Sequence, residues 1–200
     1  LMRDYTFSGT YDVTVTGLSA GTYEFWFFGH GDQTNQTGSV TIDLANGGGS
    51  GTTADSFLAR DLINGGDGIS YLHFDNLTVD SGGTFQFQVG NFLNGFQLRR
   101  VVTTPPVSDP RPSIFADAGD TTYAGTAVAD VPGTSWNKLS SSTSNTRVVT
   151  NVIGANGATV PGVTMTVTTT DSQFRQWGAD SPGNPNPLNL MRDYFYNGDV

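Results

Sequence analysis

Residues 13–28 have the sequence VTVTGLSAGTYEFWFF, the clearest strand pattern in the chain. Valine alternates with threonine in its first half, and Tyr23, Phe25 and Phe27 recur at every second position in its second half. A period of two places one set of side chains on a single face of a β-strand. A short turn that contains glycine commonly joins neighbouring antiparallel strands. This stretch therefore predicts two strands in a hairpin.

The same alternation recurs along the chain. Phenylalanine and valine alternate with glutamine over 85–89, and Val163, Met165 and Val167 alternate with threonine. Further strands are expected at 39–44, 69–74, 95–102, 112–117 and 146–153. Many short strands separated by turns predict an all-β protein, an antiparallel β-sandwich that is jelly-roll-like.

Composition supports this fold class and limits the function. Lys138 is the only lysine and Glu24 the only glutamate, whereas helical surfaces usually rely on both residue types. The formal net charge of −9 argues against nucleic acid as a partner, because phosphate contacts need lysine and arginine. No stretch approaches the roughly 18 apolar residues of a membrane-spanning helix. Cysteine is absent, which excludes disulfides but agrees with an extracellular module large enough to fold without them.

A short repeat links the two ends of the sequence. Leu1–Tyr5 is LMRDY, and the same five residues return at Leu190–Tyr194, 189 positions later. Matching aromatic and glycine positions extend the likeness, so that 190–200 repeats 1–11. Self-similarity at a fixed period is typical of tandem arrays. The alternative is that both segments are similar edge strands of one domain.

The boundary between repeats is expected at 103–112, TTPPVSDPRP, because four prolines favour an extended, exposed connector over a sheet interior. On this interpretation 1–102 is the back part of a repeat of about 189 residues, and 113–200 is the front part of the next repeat. An alternative is two sub-sandwiches joined by the proline-rich linker.

Several short motifs carry a resemblance to a known class of protein. They are LMRDY at both ends, GLSAGTY at 17–23, GHGD at 29–32, GFQL at 95–98, TSWN at 134–137 and PGVT at 161–164. With these motifs the chain resembles β-sandwich modules repeated in tandem in large bacterial extracellular and surface proteins. The resemblance implies a sandwich fold and an extracellular, adhesive or carbohydrate-associated setting. It implies no catalytic residue.

Catalytic constellations are not evident in the sequence. His30 and His73 are the only histidines, and HExxH spacing does not occur; GLSAG at 17–21 has the GxSxG spacing but falls in the turn of the predicted hairpin. Glu24 could act as a general acid only with an aspartate supplied by the fold. We expect His30 to pack back on a glycine turn and to bond to backbone, and His73 to be a packed or half-exposed strand residue. The sequence predicts a protein that is not an enzyme.

Binding residues of three kinds are candidates. No cofactor is expected, although calcium could be held by Asp117, Asp120 and Asp67, which lie near glycine turns; ordinary β-turns explain the same pattern. Trp177 and Trp136 could stack on sugar rings or lie in the core. The sequons NQT and NLT make Asn35 and Asn76 candidates for glycosylation, with Asn35 favoured by its wholly polar surroundings.

The sequence thus favours a structural subunit or repeat of an extracellular filament, stalk or surface layer that assembles head to tail. The assembly strand is expected to consist of Leu190, Met191, Arg192, Asp193, Tyr194, Phe195 and Tyr196, which would extend into a neighbouring identical subunit or adjacent repeat. The alternative is a carbohydrate-binding or adhesive module of a large secreted protein, with glycans as partners.

Overall fold

A computed structural model describes residues 6–31, 35–54, 67–101, 113–117, 135–139, 146–169, 175–177 and 194–196. These residues form strands and one short 3₁₀ helix, Leu44–Asn46. The strands are β1 (Thr6–Thr16), β2 (Gly21–Phe28), β3 (Ser39–Ile42), β4 (Ser50–Thr52), β5 (Leu72–Val79), β6 (Phe85–Leu93), β7 (Gly95–Arg100), β8 (Ile114–Asp117), β9 (Asn137–Lys138), β10 (Thr146–Val149), β11 (Thr164–Thr169), β12 (Arg175–Trp177) and β13 (Tyr194–Tyr196).

The strands make two sheets that pack face to face. The eight-stranded sheet has the order β10-β11-β1-β6-β3-β4, with β12 and β13 attached beside β1, and the five-stranded sheet has the order β5-β2-β7-β8-β9. Most pairs are antiparallel; β1 with β13 and β8 with β9 are parallel. The predicted all-β sandwich is confirmed.

The core lies between the two sheets and is rich in aromatic rings. The Phe25 ring of the five-stranded sheet lies 4.7 Å from Phe87 and 5.4 Å from Phe85 of the eight-stranded sheet, measured between ring centroids. Other buried members of this core include Val13, Val15, Phe27, Val40, Ile42, Leu77, Val79, Val89, Phe96, Leu98, Met165 and Val167. Each aromatic side chain buried here removes a large apolar area from water, which is the main stabilising term of the fold.

The period-two pattern correctly predicted which side chains face this core. Along β6 the phenylalanines and Val89 are buried while Gln86 and Gln88 are exposed, and along β11 Met165 and Val167 are buried. The pattern was less accurate for strand ends. The strand expected at 69–74 runs from Leu72 to Val79, and β3 ends at Ile42 because Asp43 caps the 3₁₀ helix by accepting a hydrogen bond from the Ala45 amide at 2.7 Å.

The predicted hairpin at 13–28 is wrong. Strand β1 belongs to the eight-stranded sheet and β2 to the five-stranded sheet, so 17–20 crosses from one sheet to the other. Gly17 begins the crossover at φ 78°, and a Cβ added to it would lie 1.9 Å from the Gly162 carbonyl oxygen. Leu18 is buried between the sheets. Apolar alternation on both sides of a glycine turn fits a crossover as well as a hairpin, because both arrangements point the apolar faces inward.

Residues on both sides of the proline-rich segment build the same sandwich. Strands β10 and β11 complete the eight-stranded sheet, and β8 and β9 extend the five-stranded sheet. Leu139, Val152 and Met165 share one core with Phe25. Among the described residues both sides contribute to one core and to shared sheets, so the alternative of two sub-sandwiches is wrong. Segment 103–112 itself lies outside the described residues.

Candidate functional site

The described part of the second repeat copy, 194–196, lies beside β1, which contains residues 6–11 of the first copy. Strand β13 pairs in parallel with β1, with Phe7 opposite Tyr196, and it pairs antiparallel with β12. Phe7 and Tyr196 occupy the same position of the repeat, 189 residues apart. Where both copies are described, at 6–7 and 195–196, they therefore lie next to each other in register at one side of the eight-stranded sheet.

The space for β13 exists because the two neighbours of β1 differ in length. On one side β6 pairs with β1 from Thr6 to Val15. On the other side β11 pairs with β1 only from Tyr11 to Thr16. The first half of β1 therefore extends beyond the end of β11, and β13 pairs with this half.

The sequence predicted that the second copy would leave its own chain. In the structure its described part, 194–196, instead adds a strand to the sheet of the same chain. Leu190, Met191, Arg192 and Asp193 lie outside the described residues. Pairing between neighbouring copies stays a prediction.

The two tryptophans proposed for sugar stacking lie in different environments. Trp136 is 1% exposed and its ring packs on Phe115 at 4.9 Å between centroids. It presents no face to a sugar, so the stacking hypothesis is wrong for Trp136; an aromatic side chain in a polar motif can be a core residue. Trp177 lies in β12, where its backbone pairs with that of Tyr194 in β13. The side chain of Trp177 lies outside the part of the molecule that the structure describes.

Two of the three aspartates proposed for calcium, Asp67 and Asp117, lie among the described residues. Asp67 accepts a hydrogen bond from the His73 backbone amide at 2.8 Å, and burial together with the Asp67 charge raises the pKa of Tyr71. Asp117 is buried at the end of β8. Asp120 lies outside the described residues. Within the described ranges, no three histidine, aspartate or glutamate side chains gather where they could hold a metal.

Both candidate glycosylation sites reach the surface. Asn35 is exposed in a turn at φ 73°. Asn76 is exposed in β5 at φ 55°, and its side-chain amide donates to Asp75 at 2.9 Å. A glycan on either amide would meet solvent, and glycosylation of both stays a prediction.

The two histidines and the single glutamate have structural contacts. The His30 ring is buried and lies 3.2 Å from the Ser70 carbonyl oxygen, as expected for a packed turn residue. His73 is half-buried and stacks on Trp26 at 4.5 Å between ring centroids. Glu24 has an arginine as its partner, not an aspartate: Arg99 Nε donates to its carboxylate at 2.6 Å.

A polar groove of about 380 Å³ lies on the outer face of the eight-stranded sheet. Strand register places its side chains in two rows of three, across β1, β6 and the β3 end. The first row is Asp12, Gln88 and Thr41, and the second row is Thr14, Gln86 and Asp43. Asp43 follows the end of β3, and its backbone amide donates a hydrogen bond to the Gln86 carbonyl oxygen. The two carboxylates thus occupy opposite corners, and the two glutamines form the floor.

Hydrogen bonds along each row position the glutamines. Gln88 Nε2 donates to Asp12 Oδ1 at 3.0 Å, and Gln86 Nε2 donates to the Thr14 hydroxyl at 3.3 Å. The Gln86 backbone amide donates to Asn46 Oδ1 at 2.9 Å, which ties the floor to a buried asparagine. Preorganised amides of this kind are the groups that give a binding groove its specificity.

Sequence reasoning did not find this groove. The alternation that placed Phe85, Phe87 and Val89 in the core also placed the glutamines between them on the opposite face, which was the available signal. Combining three strands into one surface required their register, and no sequence motif encodes it.

Comparison with protein-family models, with curated protein sequences and with solved structures gives no match for this chain. Among the described residues, no helix is long and apolar enough to cross a membrane.

Proposed function

We propose that this chain is a structural repeat of an extracellular filament, stalk or surface layer, and that its units join head to tail. The observation that supports the proposal is the parallel pairing of β13 with β1, in which Phe7 lies opposite Tyr196, the equivalent position of the repeat. A donor strand and an acceptor edge from equivalent positions of the repeat are thereby present in each unit.

The same contact between neighbouring units would be a strand exchange. A strand that leaves its own sheet can pair with the equivalent edge of the next unit without any new chemistry. Because donor and acceptor are different surfaces, the contact is heterologous, and repeated without closure it gives an open fibre. Each backbone hydrogen bond gained contributes only about 1 kcal/mol net, so the exchange should be reversible and concentration-dependent.

The composition supports an extracellular setting. The chain is acidic, has one lysine and no cysteine, and exposes threonine, serine and glutamine along the outer face of its larger sheet. A sandwich with one continuous aromatic core is close-packed, which is compatible with a load-bearing role. The motif resemblance to tandem modules of bacterial surface proteins points to the same setting.

The test is to remove the donor segment and to measure assembly. Deleting 190–200 should abolish concentration-dependent fibres in negative-stain electron microscopy and leave a slowly sedimenting monomer. A variant lacking 197–200 keeps 194–196 and serves as the matched control, which should still assemble. Fibres of unchanged length from the larger deletion would contradict the proposal.

A further inference from the structure

The groove over β6 has the dimensions of a site for a short extended polymer. Two strand spacings separate β1 from β3, which is about 10 Å, and side chains two residues apart along a strand are separated by about 7 Å. Nine residues line the groove, and three of them, Val13, Ile42 and Phe87, have their side chains buried in the core between the sheets. The other six side chains are all polar, with no aromatic ring or cation among them, so each offers a ligand hydrogen-bonding groups.

The available groups suit hydroxyls. The described hydrogen bonds engage one oxygen of each carboxylate: Asp12 Oδ1 accepts from Gln88, and Asp43 Oδ1 accepts from the Ala45 amide. A ligand can use three further kinds of group. The second oxygen of each carboxylate and the glutamine carbonyl oxygens can accept hydrogen bonds, and the Thr41 hydroxyl can donate or accept. A sugar presents adjacent hydroxyls that both donate and accept, which matches this mixture.

Other ligand classes fit less well. An anionic polymer would be repelled by Asp12 and Asp43, and no arginine or lysine lines the groove to offset that repulsion. A single cation cannot bridge the two carboxylates, because they occupy opposite corners with Cα atoms about 12 Å apart by strand geometry, whereas calcium–oxygen distances are about 2.4 Å. An apolar ligand would leave the amides and carboxylates without partners.

We propose that this groove binds a neutral polysaccharide, with Gln86 and Gln88 contacting the sugar hydroxyls from below and Asp12 and Asp43 accepting hydrogen bonds at the two ends. This goes beyond a structural role: it makes the unit an adhesive surface as well as a building block. Binding by one groove should be weak, since no aromatic platform contributes stacking. In an array, weak sites on successive units would act together and raise the apparent affinity.

The experiment is affinity electrophoresis of the full chain in native gels. The gels contain one of four soluble neutral polysaccharides, a β-glucan, a xylan, a galactomannan or a starch, or else the anionic alginate as a comparison. The acidic protein migrates towards the anode, so retardation measures binding directly. The variants are the double change Gln86→Ala with Gln88→Ala, and Asp12→Asn. Asp75→Asn, an exposed carboxylate on the other sheet, is the control with the same charge change.

The proposal predicts that at least one neutral polysaccharide retards the wild type. It also predicts that the double glutamine variant binds at least tenfold more weakly, that Asp12→Asn lowers binding severalfold, and that Asp75→Asn does not change it. Unchanged melting temperatures would confirm that each variant is folded. The proposal is overturned if no neutral polysaccharide retards the wild type, if alginate retards it more strongly, or if the double glutamine variant binds normally. None of these results bears on fibre formation, which is measured without glycan.

Discussion

The outer faces of the two sheets differ in burial and in polarity. On the five-stranded sheet a row of paired residues crosses four strands, and most of it is buried: His73, Trp26, Gln97 and Phe115. On the eight-stranded sheet the equivalent row is polar and mostly exposed: Thr146, Thr168, Asp12, Gln88, Thr41 and Ser50. Along this row the smaller sheet is thus mostly buried on both faces, whereas the larger sheet has one face in the core and one face in contact with solvent.

The same contrast is visible in the two halves of 13–28. Strict alternation in Val13–Thr16 marks a strand with one face in water. The unbroken apolar run Phe25–Phe28 marks a strand that is buried on both faces. The faces should therefore respond very differently to substitution.

The largest effect is expected for Trp136→Ala, which removes a fully buried ring that packs on Phe115 behind the five-stranded sheet. The loss of packing and the cavity left behind should cost about 3–5 kcal/mol of unfolding free energy. Urea denaturation followed by circular dichroism measures this directly. A loss under 1 kcal/mol would mean that this face is not a second core.

A smaller loss is expected for Asn137→Ala at the edge of the same sheet. The Asn137 side chain donates to the Phe115 and Ile153 carbonyl oxygens at 2.9 and 2.6 Å, and it accepts from the Ile153 amide at 2.7 Å. Truncation leaves buried backbone groups without partners, which should cost about 2–3 kcal/mol. Asn156→Ala, in an exposed turn, is the matched control and should cost under 1 kcal/mol by the same denaturation measurement.

The ion pair on the outer face of the five-stranded sheet should contribute less. Arg99 binds Glu24 and lies 5.1 Å from the centre of the Trp26 ring, and the two charged side chains keep 30% and 20% of their surface exposed. Glu24→Gln should therefore cost about 0.5–1 kcal/mol at low ionic strength. Repeating the measurement in 1 M sodium chloride should reduce the difference, because salt screens the pair. A cost that is unchanged by salt would assign the effect to packing.

The smallest effect is expected on the polar face. Thr14→Ala and Gln88→Ala, made separately, should each change the unfolding free energy by no more than about 0.5 kcal/mol, because both side chains remain in contact with water. Thermal melts in parallel with Trp136→Ala would reveal the contrast between the faces. A cost above 2 kcal/mol for either variant would mean that the outer faces of the two sheets do not differ in their contribution to stability.

Sequence reasoning reached the fold class, the core positions of β6 and β11 and the packed roles of both histidines, because alternation and turn glycines are local signals. It did not predict features that depend on which distant strands pair with each other. The crossover at Gly17 and the burial of Trp136 depend on which sheet each strand joins, and the groove depends on the register of three strands. The position of 194–196 beside β1 depends on where β11 ends.

The repeated segment is proposed to join neighbouring units through the edge of β1. The chain has no cysteine, so the double variant Phe7→Cys with Tyr196→Cys places one thiol on each copy at paired positions. Paired Cα atoms of neighbouring strands are about 5 Å apart, within the range that a disulfide spans. After mild oxidation at fibre-forming concentration, we predict a ladder of disulfide-linked oligomers on a non-reducing gel, while each single-cysteine variant stops at a dimer. Because 194–196 pairs with β1 of the same chain in the structure, dilute protein should give an internally crosslinked monomer; that band alone at fibre-forming concentration as well would contradict head-to-tail strand exchange.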